Sequence, residues 1–215
     1  MILFGVRSPL VVDVEETLWR LRIAVTAAVS VNGVPRLLER GRLVDLAEFV
    51  PPAGAPFIAS AFVPSRRRAL IEQAEALGLT RAPAVIDPTA ILPRSARVGD
   101  GSYINAGVVI GALSIIGEGV LVNRGASLGH HTVLGDFVSI GPSATLAGNI
   151  HVGAGSLIGA GATILPDVRI GMDAIVSAGA VVRKHVPDGA FVAGNPASPR
   201  PLNRQRSALN VEDGE

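Results

Sequence analysis

Three consecutive sixes decide the fold: Leu128-Gly-His-His-Thr-Val133, Leu134-Gly-Asp-Phe-Val-Ser139 and Ile140-Gly-Pro-Ser-Ala-Thr145. Each opens on an aliphatic residue and carries a small or β-branched residue at its fifth place, here Thr132, Val138 and Ala144. The same frame runs without insertion from Ile86 to Pro187, seventeen sixes in all. A strict six-residue period is the sequence mark of a parallel β-helix. Each six makes a short strand and a corner, three sixes close one coil, and residues eighteen apart lie one above another. The first place fills the axis. The fifth place takes the remaining room, and a larger residue there would overpack it. In nine sixes glycine follows the aliphatic residue, as at Gly129, Gly135 and Gly141, and it is expected to supply the backbone angles of the corners. A β-sandwich would alternate with period two and place turn clusters every ~8–12 residues. The chain does neither.

Composition agrees with a solenoid. The 215 residues are 48% hydrophobic but only 4% aromatic, which suits a narrow axis with no room for rings. A net charge of +1 implies no general attraction to nucleic acid or to a membrane surface. The absence of cysteine excludes disulfides and thiolate metal ligands. No apolar run approaches the ~18 residues of a spanning helix, and no basic segment precedes an apolar one at the N-terminus. A cytoplasmic protein without membrane insertion is expected.

Residues 1–85 lack the period and read as a separate small α/β unit, a Rossmann-like βαβαβ arrangement closed by a further helix. Ile2 to Val6 is expected to be a buried strand. Ser8 and Pro9 are expected to start a helix over 9–22, with Val11, Val14, Leu18 and Leu21 on one face. Strands are expected over Ile23 to Val31 and Phe57 to Phe62, with a short helix or turn over Leu43 to Phe49. Ser65 is expected to cap a helix that presents Leu70, Ile71, Ala74 and Leu77 and stops at Gly78. The run Arg66-Arg67-Arg68 reads as a solvated first turn. Residues 86–187 form the β-helix, and residues 188–215 a C-terminal extension whose last part reads as disordered. Asn105 and Asn123 share the second place eighteen residues apart, so they stack. Such a pair is usually structural, although Asn123 is also a candidate substrate contact.

A small α/β unit followed by hexads resembles the bacterial nucleotide-sugar and sialic-acid acetyltransferases of the left-handed β-helix class. These include the enzymes that N-acetylate UDP-linked amino sugars such as the bacillosamine precursor. The matching motifs are Asn123-Arg-Gly-Ala-Ser-Leu-Gly-His130, Leu134-Gly-Asp-Phe137, Ala147-Gly-Asn149, Ile158-Gly-Ala-Gly-Ala162 and Val192-Ala-Gly-Asn-Pro-Ala197. The resemblance implies a left-handed coil, a homotrimer, and acetyl-CoA as co-substrate in the groove between adjacent solenoids. It also implies a sugar substrate near the N-terminal unit and a role in bacterial surface glycan biosynthesis. It implies His130 as general base and Gly148 as an oxyanion donor. Ser139, Gly148, Ala160 and Ala178 are the implied acetyl-CoA contacts, and Gly5, Arg7, Ser8 and Asn123 the implied sugar-nucleotide contacts. Arg183, Lys184 and His185 would lie near the CoA phosphates.

The chemistry fits an imidazole, whose ordinary pKa near ~6.5 suits deprotonation of an attacking amine or hydroxyl. Three departures from the family pattern matter. His131 stands where the family carries a carboxylate after the catalytic histidine, so His131 is the expected partner, with Asp136 or a neighbouring copy as a candidate substitute. Ser139 stands where a second histidine is common. The family's glycine-rich N-terminal loop is replaced by Gly5-Val-Arg-Ser-Pro-Leu10, in which Pro9 has no N–H and Arg7 offers a charge instead. Two other classes remain open. One is a non-catalytic scaffold, and the other a β-helical carbonic anhydrase with a three-histidine zinc site. His130 and His151 occupy different places in their sixes, so no metal is expected.

Overall fold

The computed structural model describes residues 1–201. The reading of the last residues as disordered falls outside the described residues. In the N-terminal unit, β1 (Ile2–Phe4), α1 (Val11–Arg20), β2 (Ala27–Ser30), β3 (Leu43–Asp45), β4 (Pro56–Ala59), α2 (Pro64–Ala76) and β5 (Thr80–Arg81) follow in chain order. All five strands are parallel, in the order β3-β2-β1-β4-β5. The connection changes sides between β1 and β4, which is where open α/β sheets place ligands. Three expectations need correction. Ser65 does not cap α2; it lies inside the helix, which begins at Pro64 with Val63 at the cap position. Leu43–Asp45 is a strand rather than a helix or turn, because Leu43, Val44 and Asp45 pair with Ala28, Val29 and Ser30. The helix expected from Pro9 starts at Val11, and Ser8 acts through its carbonyl oxygen, which accepts from Val11 N at 3.0 Å.

The first ladder strand of the solenoid is Val85–Ile86. Two-residue strands then form three parallel faces. The first face stacks Val85–Ile86, Tyr103–Ile104, Leu121–Val122, Ser139–Ile140, Leu157–Ile158 and Ile175–Val176. The second runs from Val109–Ile110 to Val181–Val182, and the third from Arg97–Val98 to Arg169–Ile170. Partners lie eighteen residues apart up to the final coil, where Ile175 pairs with Phe191 and Ile170 with Val186. The last coil is therefore two residues short. Val186 fills a first place there, not the fifth place that the frame assigned to it. The aliphatic first places and small fifth places form one continuous core from Ile104 to Val192.

The corners work differently from the sequence expectation. Positive φ falls at the fourth place, as at Gly125 (66°), His131 (56°) and Phe137 (59°), and not at the second-place glycines. The second-place glycines answer to close approach. A Cβ on Gly129 would stand 2.5 Å from Ala147 C, and one on Gly141 2.5 Å from Ala160 N. Each coil rests its corner on the backbone of the next, which leaves no room for a side chain.

The N-terminal unit seats on the first face. The outward residues Val85, Tyr103, Leu121 and Ser139 are 3% exposed or less. On the other faces Ile91, Val109 and Ile115 are 64%, 41% and 51% exposed. Two polar locks hold the joint. Asp87, wholly buried, accepts from Thr17 Oγ1 (2.7 Å), Arg20 Nη1 (2.6 Å), Thr89 N (2.9 Å) and Thr89 Oγ1 (2.6 Å). Burial alone would raise its pKa, but the hydrogen bonds from Thr89, Thr17 and Arg20 outweigh it and hold the carboxyl at about 2. The second lock is Arg67, 1% exposed, so the solvated reading of that run fails for its middle residue. Arg67 lies on the buried stripe of α2 with Ile71 and Ala74. It donates to Gly119 O, Ala61 O, Phe62 O, Ser139 Oγ, Phe137 O and Val138 O over 2.6–3.1 Å. Burial lowers its pKa to about 9, so it stays charged at neutral pH, held by carbonyl dipoles. No helix among the described residues is long and apolar enough to cross a membrane.

Candidate active site

His130 and His131 sit at the third and fourth places of one six, on the edge between the second and third faces. Their Nδ1 atoms are 2.9 Å apart, and their rings meet edge to face at 89° with centroids 5.1 Å apart. Both rings are exposed in the single chain. Gly148, one coil on, lies against the other side of His130: a Cβ there would stand 2.6 Å from Nε2 and from Cε1. The Gly148 N–H donates to no group among the described residues. The edge thus pairs an imidazole anchored through Nδ1 with a backbone donor beside its Nε2. That pairing can accept a proton and stabilise a nearby oxyanion.

The remaining candidates divide into groups. Ala160 and Ala178 are exposed and stack on the neighbouring edge, between the first and second faces. Ser139 does not reach any groove. It is wholly buried under the N-terminal unit, donates to Phe62 O and accepts from Arg67 Nη1 at 2.9 Å. Its assignment as an acetyl-CoA contact is corrected accordingly. Asn123 is also buried, 8% exposed; its Oδ1 accepts from Asn105 Nδ2 (2.9 Å) and Arg124 N (2.8 Å). Asn105 Nδ2 and Arg124 Nη1 both reach Asp13 Oδ2, at 3.1 and 3.0 Å, so this ladder ties the solenoid to α1. Asp136 lies one edge away from His130, between the third and first faces, and its Oδ1 accepts from Glu118 N at 2.9 Å. It cannot serve His130 of the same chain.

Gly5, Arg7 and Ser8 come together at the change of side between β1 and β4. They line a cavity of about 220 Å³ with Val31, Asn32, Ala61, Arg66, Ala69, Leu70 and Gln73. Gly5 has φ 80°, and a Cβ on it would stand 2.5 Å from Leu70 Cδ1, so the turn after β1 accepts glycine alone. Asn32, Arg66 and Gln73 were not assigned to a site from the sequence, where Arg66 read as part of a solvated turn, since no local pattern ties them to Gly5. Among the described residues no three His, Asp or Glu side chains gather as a metal would require.

The bacterial transferase hexapeptide (six repeats) family matches residues 149–184. No curated protein sequence matches the chain. Among solved structures, a histidine-to-alanine variant of GDP-perosamine N-acetyl transferase from Caulobacter crescentus, bound to CoA and GDP-perosamine, is 30% identical. The match covers 93% of this chain and 96% of that one, with a TM-score of 0.82. The acetyltransferase domain of PglB from Neisseria gonorrhoeae, in complex with acetyl coenzyme A, is 32% identical over 93% of this chain and 98% of that one, again at 0.82. WeeI from Acinetobacter baumannii shares the fold at 24% identity over 93% and 98% of the two chains, with a TM-score of 0.68. With two relatives at or above 30% identity over nearly the whole chain, this protein belongs to the left-handed β-helix, hexapeptide-repeat family of sugar N-acetyltransferases.

Proposed function

We propose that the protein transfers an acetyl group from acetyl-CoA to an amino group of a nucleotide-linked sugar, in bacterial surface glycan synthesis. The observation that carries the reading is the His130 ring set beside Gly148 and tied back through Nδ1. The missing side chain of Gly148 leaves the cradle that a thioester carbonyl needs next to Nε2. Acetyl-CoA supplies the activated carbonyl; the amine nitrogen bonds to its carbon as the C–S bond breaks. His130 Nε2 takes the amine proton during attack and returns a proton to the departing thiolate. The Gly148 N–H donates to the oxygen that becomes negative. Attack is direct, because the chain has no cysteine and no serine beside His130 to form an acyl-enzyme.

The reading assigns the nucleotide to the cavity of Gly5, Arg7 and Ser8. At about 220 Å³ it is smaller than the ~300–1,000 Å³ of a typical ligand pocket, so the sugar extends beyond it. A homotrimer accounts for this and for the exposed apolar residues Ile91, Val109, Leu113 and Ile115 beside the histidine edge. In that assembly, the edge of His130 and Gly148 from one copy and the edge of Ala160 and Ala178 from the next would hold acetyl-CoA between them. The test is thiol release from acetyl-CoA across nucleotide-linked amino sugars and free sialic acid, with His130→Ala as control. Release with an amino sugar, lost in the variant, supports the reading. Binding without turnover for every acceptor would favour a scaffold.

A further inference from the structure

Two hollows flank the start of α2, and they share Ala69. One is the cavity of Gly5, Arg7 and Ser8. Its charged lining residues are Arg7 and Arg66, and no carboxylate lines it. The other is a groove of about 270 Å³ between α2 and the first face of the solenoid. Arg68, Ala69 and Glu72 lie on one wall, and Leu157, Asp173 and Ile175 on the other. The Arg68 guanidinium is turned to the Phe137 ring, 4.6 Å from its centroid. Glu72 and Asp173 are exposed and form no ion pair among the described residues. The groove is therefore acidic over an apolar floor, and the cavity beyond Ala69 is cationic.

The chain leaves the solenoid beside this groove. Ile175 pairs with Phe191, and Phe191 O accepts from Arg200 N at 2.9 Å. Arg200 thus lies two strand spacings, ~10 Å, from a residue that lines the groove. The sequence after Pro201 is Leu202-Asn-Arg-Gln-Arg-Ser-Ala-Leu-Asn-Val-Glu-Asp-Gly-Glu215. Its charges are sorted: Arg204 and Arg206 come first, then Glu212, Asp213 and Glu215. The two hollows present the complementary order, with carboxylates on the Arg200 side and guanidinium groups beyond Ala69. Leu202 to Glu212 can span up to ~36 Å when extended. Along α2, Glu72 and Arg66 are only ~9 Å apart.

We propose that residues 202–215 run along this groove and set Glu212, Asp213 and Glu215 against Arg7 and Arg66, as an internal competitor for the anionic ligand of the cavity. Arginine forks take carboxylate and phosphate oxygens alike. Each such contact is weak, but a short tether holds the segment at an effective concentration in the millimolar range. The cavity then admits only an anion that outcompetes the segment. That the displacing anion is the diphosphate of a nucleotide-linked sugar rests on the acetyltransferase reading, whereas the seating of the segment does not.

The test compares the full chain with its combined Glu212→Gln, Asp213→Asn, Glu215→Gln variant, whose changes all lie beyond Pro201. Pyrophosphate is titrated into each by calorimetry. A segment that fills the cavity about nine-tenths of the time lowers the apparent affinity of a competitor about 10-fold. The variant is therefore expected to bind pyrophosphate about 10-fold more tightly than wild type. In parallel, trypsin cleavage after Arg204 and Arg206 is followed by mass spectrometry. Pyrophosphate is expected to speed cleavage of the wild-type chain, and the variant to be cleaved fast with or without it. Glu72→Gln, which removes a groove carboxylate, is expected to speed cleavage as well. Equal pyrophosphate affinity in the two proteins, or wild-type cleavage indifferent to pyrophosphate, overturns the inference. If pyrophosphate behaves as expected while UDP and GDP fail to bind, the nucleotide reading falls and the seating of the segment stands.

Discussion

Gly148 and His130 face each other so closely that a single added methyl group would reach the imidazole of the proposed base. A Cβ at Gly148 would stand 2.6 Å from Nε2, so Gly148→Ala must push the ring aside. Displacement of a reacting group by ~1 Å costs about 100-fold in rate. The expected outcome is a kcat loss of that order with a melting temperature close to wild type, measured by thiol release and thermal denaturation. Asp87 gives a different kind of prediction at the same scale. Its carboxyl is held at about 2, below its ordinary value, chiefly by hydrogen bonds that overcome the effect of burial. A depressed carboxylate contributes stability that is present above the unfolded pKa near ~4 and is lost as pH falls through 2. The contribution is on the order of 2 kcal/mol. Asp87→Asn is expected to flatten the acid limb of stability between pH 4 and 2, measured by denaturant unfolding across that range. The histidine motif was legible in the sequence, because its residues are adjacent in the chain. The misassignment of Ser139 had the opposite cause. The residue that buries it, Arg67, lies 72 positions earlier, and no local pattern carries that distance.

At the scale of the element, the two glycine places have separate jobs. Gly159→Ala puts a methyl group into the backbone of the next coil and is expected to cost about 1–3 kcal/mol, as overpacking does. Gly161 has nothing within 4 Å of a Cβ and only its φ of 63° to answer for. Gly161→Ala is therefore expected to cost about 1 kcal/mol, the ordinary penalty of left-handed backbone. Paired unfolding curves check the order, and equal costs would contradict it. The period itself displayed the second-place glycines, but not their reason. Stacking clearance appears only when coils are laid on one another. The strand Leu43–Asp45 was misread for a similar reason. Three residues with two apolar members support helix or strand equally, and its partner β2 decided the matter. In α2 the signal was present. Arg67, Ile71 and Ala74 fall on one helical stripe, but only the contacts of Arg67 show what that stripe covers.

For the whole molecule, the joint between the two units is held by buried charge as well as by apolar area. Arg67→Met removes the donor to five carbonyl oxygens and one hydroxyl, and is expected to destabilise the chain by about 3 kcal/mol or more. Limited proteolysis near the joint should sharpen in that variant. The proposed trimer predicts that Leu113→Glu, on the exposed histidine edge, reduces the sedimentation mass and the acetyl-transfer rate together.

The chain by itself determined the coil, its period and the place of the histidine pair. A repeat writes the same local instruction every six residues, and each coil needs only its neighbours. Which glycine opens a corner, which serine is buried and which arginine locks the two units were decided only by tertiary packing. Those roles depend on residues brought together from distant parts of the chain, and hydrophobic periodicity says nothing about which unrelated surface will cover a face.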